Sequence, residues 1–385
     1  MHLALTAEQT LVQDTARRFA ETELAPVAAL IEDLTQRAVY LKNLRALAEL
    51  GFMGLNVAPE HGGSGAGVIA FSVAITEIAR ACASTAVAMS VNNMVAEVIQ
   101  SIGSAEQKAA YIPRICSGDF SAAGFCLSEA GAGSDPSGMR TRATRDGHAY
   151  VLNGTKLWIS NAEYAGVFVV WAVTDASAAP GKGISCFLVE AGTPGLSIGR
   201  AEHKMGQRGS STNPVTFEDC RVPSSAMLGR ENDGFRIAVG ELTGGRIGIG
   251  SLALGLGSAA MDIARRYVTE REQFGRRIAD FQGIQWMLAD TYTELEAARL
   301  LLMQAAWLKE SGQPYAKAAS MAKLHATECA NRACYTALQL MGGVGYTADC
   351  PIERMARDVR VTSIYEGTSE IQRVIIAREL LREVA

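Results

Sequence analysis

The sequence has no charge-free apolar run long enough to cross a bilayer. Its longest such stretches, residues 247–261 and 81–96, fall short of the roughly 18 residues a span needs. Both carry small or polar residues, as buried helices that let neighbours approach closely do. No membrane association is expected. A surplus of one charge is also lacking: 36 Lys and Arg against 40 Asp and Glu leave −4 at pH 7, so bulk electrostatics offer nothing to nucleic acid. There is no C-x-x-C pair. The eight cysteines, at 82, 116, 126, 186, 220, 329, 334 and 350, form no disulfide framework and suit a reducing compartment. His325, Cys329 and Cys334 match no zinc spacing, so no metal is expected. Met1-His2-Leu3-Ala4-Leu5-Thr6 shows neither a basic region nor a long apolar core. No secretory signal or transit peptide is expected, and the expected location is the cytoplasm, or the mitochondrial matrix for a processed eukaryotic chain. No 20–50-residue repeat argues for a solenoid.

What is present is ordinary globular composition, 48% hydrophobic and 20% charged over 385 residues, enough for two or three domains at about 150 residues each. Periodicity divides the chain into three. Residues 1–120 read as helices, with one apolar stripe at Leu11, Ala16, Phe19, Ala20 and Leu24. A second runs Leu41, Leu44, Leu47, Ala48 and Leu50, stopped by Gly51. Further helices are expected over 69–80, 84–102 and 105–115, the last interrupted by Pro113. Residues 121–231 read as an antiparallel β domain, with hairpin turns at Asp146-Gly147 and Asn153-Gly154. Residues 232–385 return to long helical stretches, forming a four-helix-bundle-like domain. Ser369-Glu370-Ile371-Gln372 has the form of a capping box that reopens the last helix. The expected class is α+β, multidomain, in the order helical, β, helical.

Four motifs invite chemistry, each with a plainer reading beside it. Glu129-Ala130-Gly131-Ala132-Gly133-Ser134-Asp135-Pro136 is rich in glycine, but Pro136 stands where a dinucleotide fingerprint needs Gly, and hairpins rather than a crossover helix follow. It reads as a polar turn whose backbone N–H groups and Ser128 and Ser134 hydroxyls can cradle a polar ligand edge. Gly195-Leu196-Ser197-Ile198-Gly199 matches the G-x-S-x-G elbow of serine hydrolases, but no helix follows in register. Ile364-Tyr365-Glu366-Gly367-Thr368 sets one carboxylate among apolar neighbours at a helix break, where a raised pKa suits a general base; the plainer reading is a solvated surface Glu. Arg271 with Phe274-Gly275 reads as a loop at a helix C-terminus.

Taken together the chain resembles the acyl-CoA dehydrogenase family over essentially its whole length. The carriers are Cys126-Leu127-Ser128-Glu129-Ala130-Gly131-Ala132-Gly133-Ser134-Asp135, Asn153-Gly154-Thr155-Lys156-Leu157-Trp158-Ile159-Ser160-Asn161 and Gly206-Gln207-Arg208-Gly209-Ser210-Ser211-Thr212. Phe217-Glu218-Asp219-Cys220-Arg221-Val222-Pro223, Arg271-Glu272-Gln273-Phe274-Gly275, Gln339-Leu340-Met341-Gly342-Gly343-Val344-Gly345-Tyr346 and Tyr365-Glu366-Gly367-Thr368-Ser369-Glu370-Ile371-Gln372 follow in the family's order. The resemblance implies non-covalent FAD and α,β-dehydrogenation of a fatty acyl-CoA. It implies that Phe125, Leu127, Ser128, Gly133, Ser134, Trp158, Ile159 and Ser160 line the flavin. Arg271, Phe274, Gln282, Gln339, Leu340, Gly342 and Gly343 would hold the adenine diphosphate end, partly from a neighbouring subunit, with Thr368 and Glu370 completing the set.

By the same resemblance Glu366 is the base for the α-proton. Its backbone N–H and a flavin ribityl hydroxyl would stabilise the enolate, while the β-hydride goes to flavin N5. Ser134, Thr243, Arg246, Tyr365 and Gly367 would face the substrate. A minority branch of the family carries its base one residue before an Arg, and here that residue is Gly245, in Thr243-Gly244-Gly245-Arg246. The segments around 81–93, 246–249 and 365–372 look most like short-chain members. A homotetramer and electron-transfer flavoprotein as acceptor are implied. The alternatives are a flavin-containing acyl-CoA oxidase, a nucleic-acid-binding or non-catalytic member of the same fold, and a hydrolase built on Ser197.

Overall fold

A computed structural model describes residues 4–384, so the reading made on Met1, His2 and Leu3 lies outside the described residues. Five helices come first: α1 (Ala7–Phe19), α2 (Arg37–Glu49), α3 (Gly67–Ala81), α4 (Ala83–Ile102) and α5 (Ala105–Cys116). Thr6 opens α1 with a reciprocal capping box to Gln9, and Ser104 does the same for α5 with Gln107. Gly51 ends α2 at φ +76°, the left-handed geometry that favours glycine. Two expectations change here. Pro113 does not interrupt α5, which continues to Cys116. Leu11 is 65% exposed, whereas Ala16, Phe19, Ala20 and Leu24 of its stripe are buried.

Seven strands follow: β1 (Ala122–Cys126), β2 (Arg142–Asp146), β3 (Ala149–Ser160), β4 (Ala165–Val173), β5 (Ile184–Glu190), β6 (Leu196–Ile198) and β7 (Thr212–Pro223). They form one sheet in the order β1-β4-β2-β3-β7-β6, with β5 also on β4. Most pairs are antiparallel, but β1 runs parallel to β4, and β2 meets β4 in parallel at Arg142 and Val173. The sheet is therefore mixed. Asp146-Gly147 makes the expected hairpin, Gly147 lying at φ +59°. Asn153-Gly154 does not: β3 runs straight through it, and the pairing with β7 slips by a residue there, a bulge rather than a turn. β4 shows why the sheet holds: Val167, Val169 and Trp171 enter the helical core while Phe168, Val170 and Ala172 enter a second cluster with Tyr150, Phe187 and Phe217. That period of two buries both faces. Asn92 of α4 accepts the Ala123 N–H at 2.8 Å, joining helices to sheet.

The chain then enters α6 (Gly234–Glu270), a small hairpin of β8 (Glu272–Gln273) and β9 (Arg276–Arg277), α7 (Gln282–Glu310), α8 (Ala316–Met341), α9 (Pro351–Val359) and α10 (Ser369–Arg382). α6 is the axis, packed on α8, α3, α7 and α4. Glycines allow this closeness: a Cβ on Gly255 would strike the Thr76 carbonyl and one on Gly250 the Leu302 side chain at 2.6 Å. Among the described residues α6 alone is long and apolar enough to cross a membrane by composition, which charge-free runs alone did not reveal; 83% of that window is buried inside the protein. Its hydropathy is that of a core helix.

Candidate active site

After α9 a short turn (Arg360–Ser363) leads into residues 364–368, and α10 then begins. The cap of α10 is Thr368, whose hydroxyl accepts the Ile371 N–H at 3.3 Å. The expected capping box on Ser369 and Gln372 is thus displaced by one residue. Ser369 instead donates to Glu328 at 2.5 Å. Gln372 turns back, donating to the carbonyls of Gly367 at 2.9 Å and Glu366 at 3.3 Å.

Glu366 stands at φ +54° and Gly367 at φ +83°. A left-handed non-glycine residue costs on the order of 1 kcal/mol and persists only when its surroundings over-determine it. They do so here. The Gly367 carbonyl accepts a second hydrogen bond, from the buried Lys323 ammonium of α8 at 2.8 Å, and the Tyr365 hydroxyl accepts from Gln207 Nε2 at 3.1 Å. The Glu366 N–H meets no backbone acceptor among the described residues, and is free for a ligand.

The Glu366 carboxylate enters a gap between α6 and α4. Its Oε2 is buried without a hydrogen-bond partner. A Cβ on Gly245 would lie 2.9 Å from that oxygen and 3.1 Å from Met94 Sδ, so the bare Gly245 is what admits the carboxylate. Burial pushes its pKa up to about 7, against the pull of Lys323 and, behind it, Arg246. Arg246 is buried, donates to Ser320 at 3.2 Å, and leaves Nε unpartnered; burial lowers its pKa. Thr243 spends its hydroxyl on the Val239 carbonyl. On the next residue of α6, a Cβ on Gly244 would lie 2.6 Å from Lys309 Nζ, and Lys309 pairs with Glu97. Glu241, one turn back, is pushed up to about 8 by burial, with Glu97 adding to it.

A second surface lies on the sheet. Lys156 is fully buried and donates to Glu129 at 2.8 Å and to the Leu127 carbonyl at 3.1 Å. Glu129 also accepts the N–H groups of Arg140 and Thr141 at 2.6 and 3.0 Å. This pair stretches the 127–135 loop over the sheet, where Gly131 and Gly133 face open space and Ser128 and Ser134 are accessible. Beside it the β3 register shifts between Lys156 and Ile159, and Trp158, at φ +59°, is 55% exposed. Partly accessible Ser160 follows. A flat apolar ring with hydroxyls at its edge and an uncrowded glycine loop fits a planar heteroaromatic group such as a flavin. Phe125 is half-buried against Trp171, ring centroids 4.4 Å apart. Leu127 and Ile159 belong to the cores, so only their backbones reach this surface.

The two surfaces are joined. Asn161 takes its N–H to Ser211 at 2.7 Å, and Gln207, in the same loop as Ser211, holds Tyr365 and, through its N–H, Asp358. Sequence reasoning missed the Lys156–Glu129 pair, Gln207 and Lys323. The first two fall in the family-like blocks, whereas Lys323 carries no local signal.

Other expected residues stand apart. Arg271 closes α6, Phe274 sits in the β8–β9 hairpin 93% exposed, and Gln282 opens α7. At about 1.5 Å per residue, Arg271 lies about 39 Å along α6 from Gly245, and Gln339 about 24 Å along α8 from Lys323. Gln339, Gly342 and Gly343 are exposed at that end, while Leu340 is buried. A single chain does not bring them to Glu366. Thr368 is spent on its cap and Glu370 is exposed. Ser197 lies on the edge strand β6, paired with Thr216 and followed by no helix, so there is no nucleophile elbow. Among the described residues no three His, Cys, Asp or Glu cluster as a metal site.

Three family descriptions match: acyl-CoA dehydrogenase N-terminal domain over residues 6–119, middle domain over 124–220 and C-terminal domain over 232–381. The chain is 45% identical over 385 residues to an acryloyl-CoA reductase (NADH) of Anaerotignum propionicum, covering 99% of this chain and 96% of that one. It is 47% identical over 375 residues to the mitochondrial short-chain specific acyl-CoA dehydrogenase of Homo sapiens, covering 97% and 90%. A chain solved in a study of the electron transferring flavoprotein of Acidaminococcus fermentans superposes with a TM-score of 0.95 at 41% identity, covering 99% and 100%.

Proposed function

The chain belongs to the acyl-CoA dehydrogenase family, and we propose that it removes two hydrogens from the α and β carbons of a short acyl-CoA, with Glu366 as the base. The observation that carries this is the Glu366 carboxyl group, whose Oε2 is buried without a partner and whose pKa is pushed up to about 7. A base poised near working pH is matched to a weak carbon acid. The Glu366 N–H, with no backbone acceptor, is placed to donate to the thioester carbonyl and stabilise the developing enolate, an oxyanion-hole effect.

FAD, held against Trp158, Ser128, Gly133, Ser134 and Ser160, would supply the hydride acceptor when bound. Tyr365 and Gly367 wall the substrate beside the base, and Arg246 keeps a positive charge behind it. A short chain is supported by the human relative's description. It is also supported by Glu241, about one turn or about 6 Å back along α6 from Gly245, and by Lys309, which lies against Gly244 and pairs with Glu97, polar groups against which a long alkyl tail would be costly to bury.

The distance between Glu366 and the set of Arg271, Phe274, Gln282 and Gln339 supports a homo-oligomer, a tetramer in this reading, in which a neighbour completes the adenine end. Electron-transfer flavoprotein as the electron acceptor is supported by the Acidaminococcus fermentans study. Work in the cytoplasm agrees with eight buried, unpaired thiols. The Anaerotignum relative favours a second reading, the same chemistry run as enoyl-CoA reduction, in which Glu366 returns the proton to Cα.

Anaerobic titration with acyl-CoAs of increasing length tests this directly. Butyryl- or hexanoyl-CoA should bleach the flavin. Glu366→Gln should retain the yellow cofactor and lose about 10²–10⁴-fold in bleaching rate; near-normal bleaching in that variant removes Glu366 from its role. Peroxide release in air would mark an oxidase instead, and salt-sensitive DNA retention a nucleic-acid role.

A further inference from the structure

Lys323 lies in the middle of α8, wholly out of contact with solvent. Its ammonium has three protons to donate, yet the acceptor it meets is one neutral oxygen, the Gly367 carbonyl at 2.8 Å. Among the described residues no carboxylate lies within 4 Å of it. A buried charge with so little compensation is costly, and the hydrogen bond does not explain it, because Gln372 already donates to the same carbonyl at 2.9 Å. The charge therefore answers something else. Of the carboxylates around it, Glu328 is engaged by Ser369 and Glu370 is exposed on α10. Glu366, bare at Oε2, is left.

We propose that Lys323 is a positioning residue for the α-proton base: its uncompensated charge favours the ionised form of Glu366 in the gap between α6 and α4, and its bond to Gly367 aims the left-handed turn that carries that base. The inference rests on Glu366 acting as proposed above. Other titratable groups surround the pair: Arg246 of α6 acts on both, Glu328 of α8 and Glu370 of α10 act on Lys323, and Glu241 of α6 and Tyr365 of the loop face Glu366. Glu97 of α4 and Lys309 of α7 reach it only through Glu241, and Tyr315 only through Arg246. Arg378 of α10 faces Arg246, and Asp358 of α9 faces Tyr365. Of the charges acting on Glu366, Lys323 opposes burial most, ahead of Arg246.

The sign follows. Removing the ammonium favours the protonated carboxyl, so Glu366 must lose its proton at higher pH, and the acidic limb of kcat/KM moves upward. The experiment uses purified holoenzyme and butyryl-CoA, with wild type measured first; if wild type itself is not bleached, the functional reading fails and not this inference. Lys323→Gln keeps a donor for the Gly367 carbonyl and loses the charge. Its acidic limb should rise by about one pH unit or more, with about tenfold lower kcat at pH 7 recovering near pH 9 and KM little changed. Lys323→Met should show the same shift with a further fall in kcat from the lost aim. Lys323→Arg should restore the limb. A limb that stays at the wild-type position in Lys323→Gln, even with lowered activity, overturns the proposal and makes Lys323 a structural support. If neither neutral variant keeps its flavin, the Glu366 carboxyl stretch, titrated by difference infrared spectroscopy in the flavin-free Lys323→Gln and wild-type proteins, decides: a titration moved upward by about one pH unit upholds the role of charge, and an unmoved one sinks it.

Discussion

Gly245 shows how one missing side chain selects a chemistry. It lies mid-helix in α6, where alanine is ordinarily better than glycine by up to about 1 kcal/mol. The space its Cβ would fill is held by a carboxylate oxygen at 2.9 Å, so a side chain carried at this position of α6 and the Glu366 carboxylate compete for one space. Gly245→Ala should therefore leave thermal stability equal or slightly raised while kcat falls about 10–100-fold, because a displacement of an ångström at a reacting group is that expensive. Differential scanning calorimetry beside stopped-flow flavin reduction separates the two effects. At this scale the sequence was only partly legible. A Glu between Tyr and Gly at a helix break reads equally well as a solvated turn, and the left-handed backbone that aims it is one glutamate rarely adopts. Lys323 reads as an ordinary lysine on an amphipathic helix, since the carbonyl that receives it lies 44 residues away.

Among the elements, β3 carries the most. Its N-terminal half is a regular hairpin arm, and its C-terminal half is loosened at Gly154 and Trp158 to present a ring and hydroxyls. Below that surface Lys156 and Glu129 meet in a dry interior. Breaking such a pair from one side leaves an isolated buried charge, at about 3–5 kcal/mol. Lys156→Met should lower the free energy of chemical unfolding by that order and release flavin. The double variant Lys156→Met with Glu129→Gln should regain much of the stability, as a double-mutant cycle by urea titration would measure. The Asp146-Gly147 turn was legible because a tight hairpin is local chemistry. Asn153-Gly154 has the same local chemistry but became a bulge, because β7 pairs on both sides of it and carries the strand onward. Pro113 likewise lies in the last turn of α5, where its missing N–H gives up the bond to the Ala109 carbonyl, yet the helix runs on to Cys116 because the packing of Ile112, Ile115 and Cys116 decides.

For the whole molecule, the order helical, β, helical was readable because periodicity changes from 3.6 to 2 and back. The parallel pairing of β1 with β4 was not, since it joins segments separated by two other strands. Nor can a single chain explain Arg271 and Phe274, which lie in solvent far along α6 from Glu366. Co-expression tests whether a neighbour uses them. Mixed oligomers of Glu366→Gln chains with Phe274→Asp chains should recover part of the wild-type rate, up to about a quarter of sites where the two defects fall in different cavities, while each variant alone stays inactive. Activity confined to the parents' own levels would show that each chain serves only itself. The thiols carry one last consequence. All eight cysteines are enclosed, and burial drives the pKa of Cys126, Cys186, Cys329 and Cys334 upward, so these four lack both access and the reactive thiolate. The thiols of the native protein are thereby closed to oxidants, and any thiol-alkylating reagent that does mark it keeps time on how often the chain breathes open.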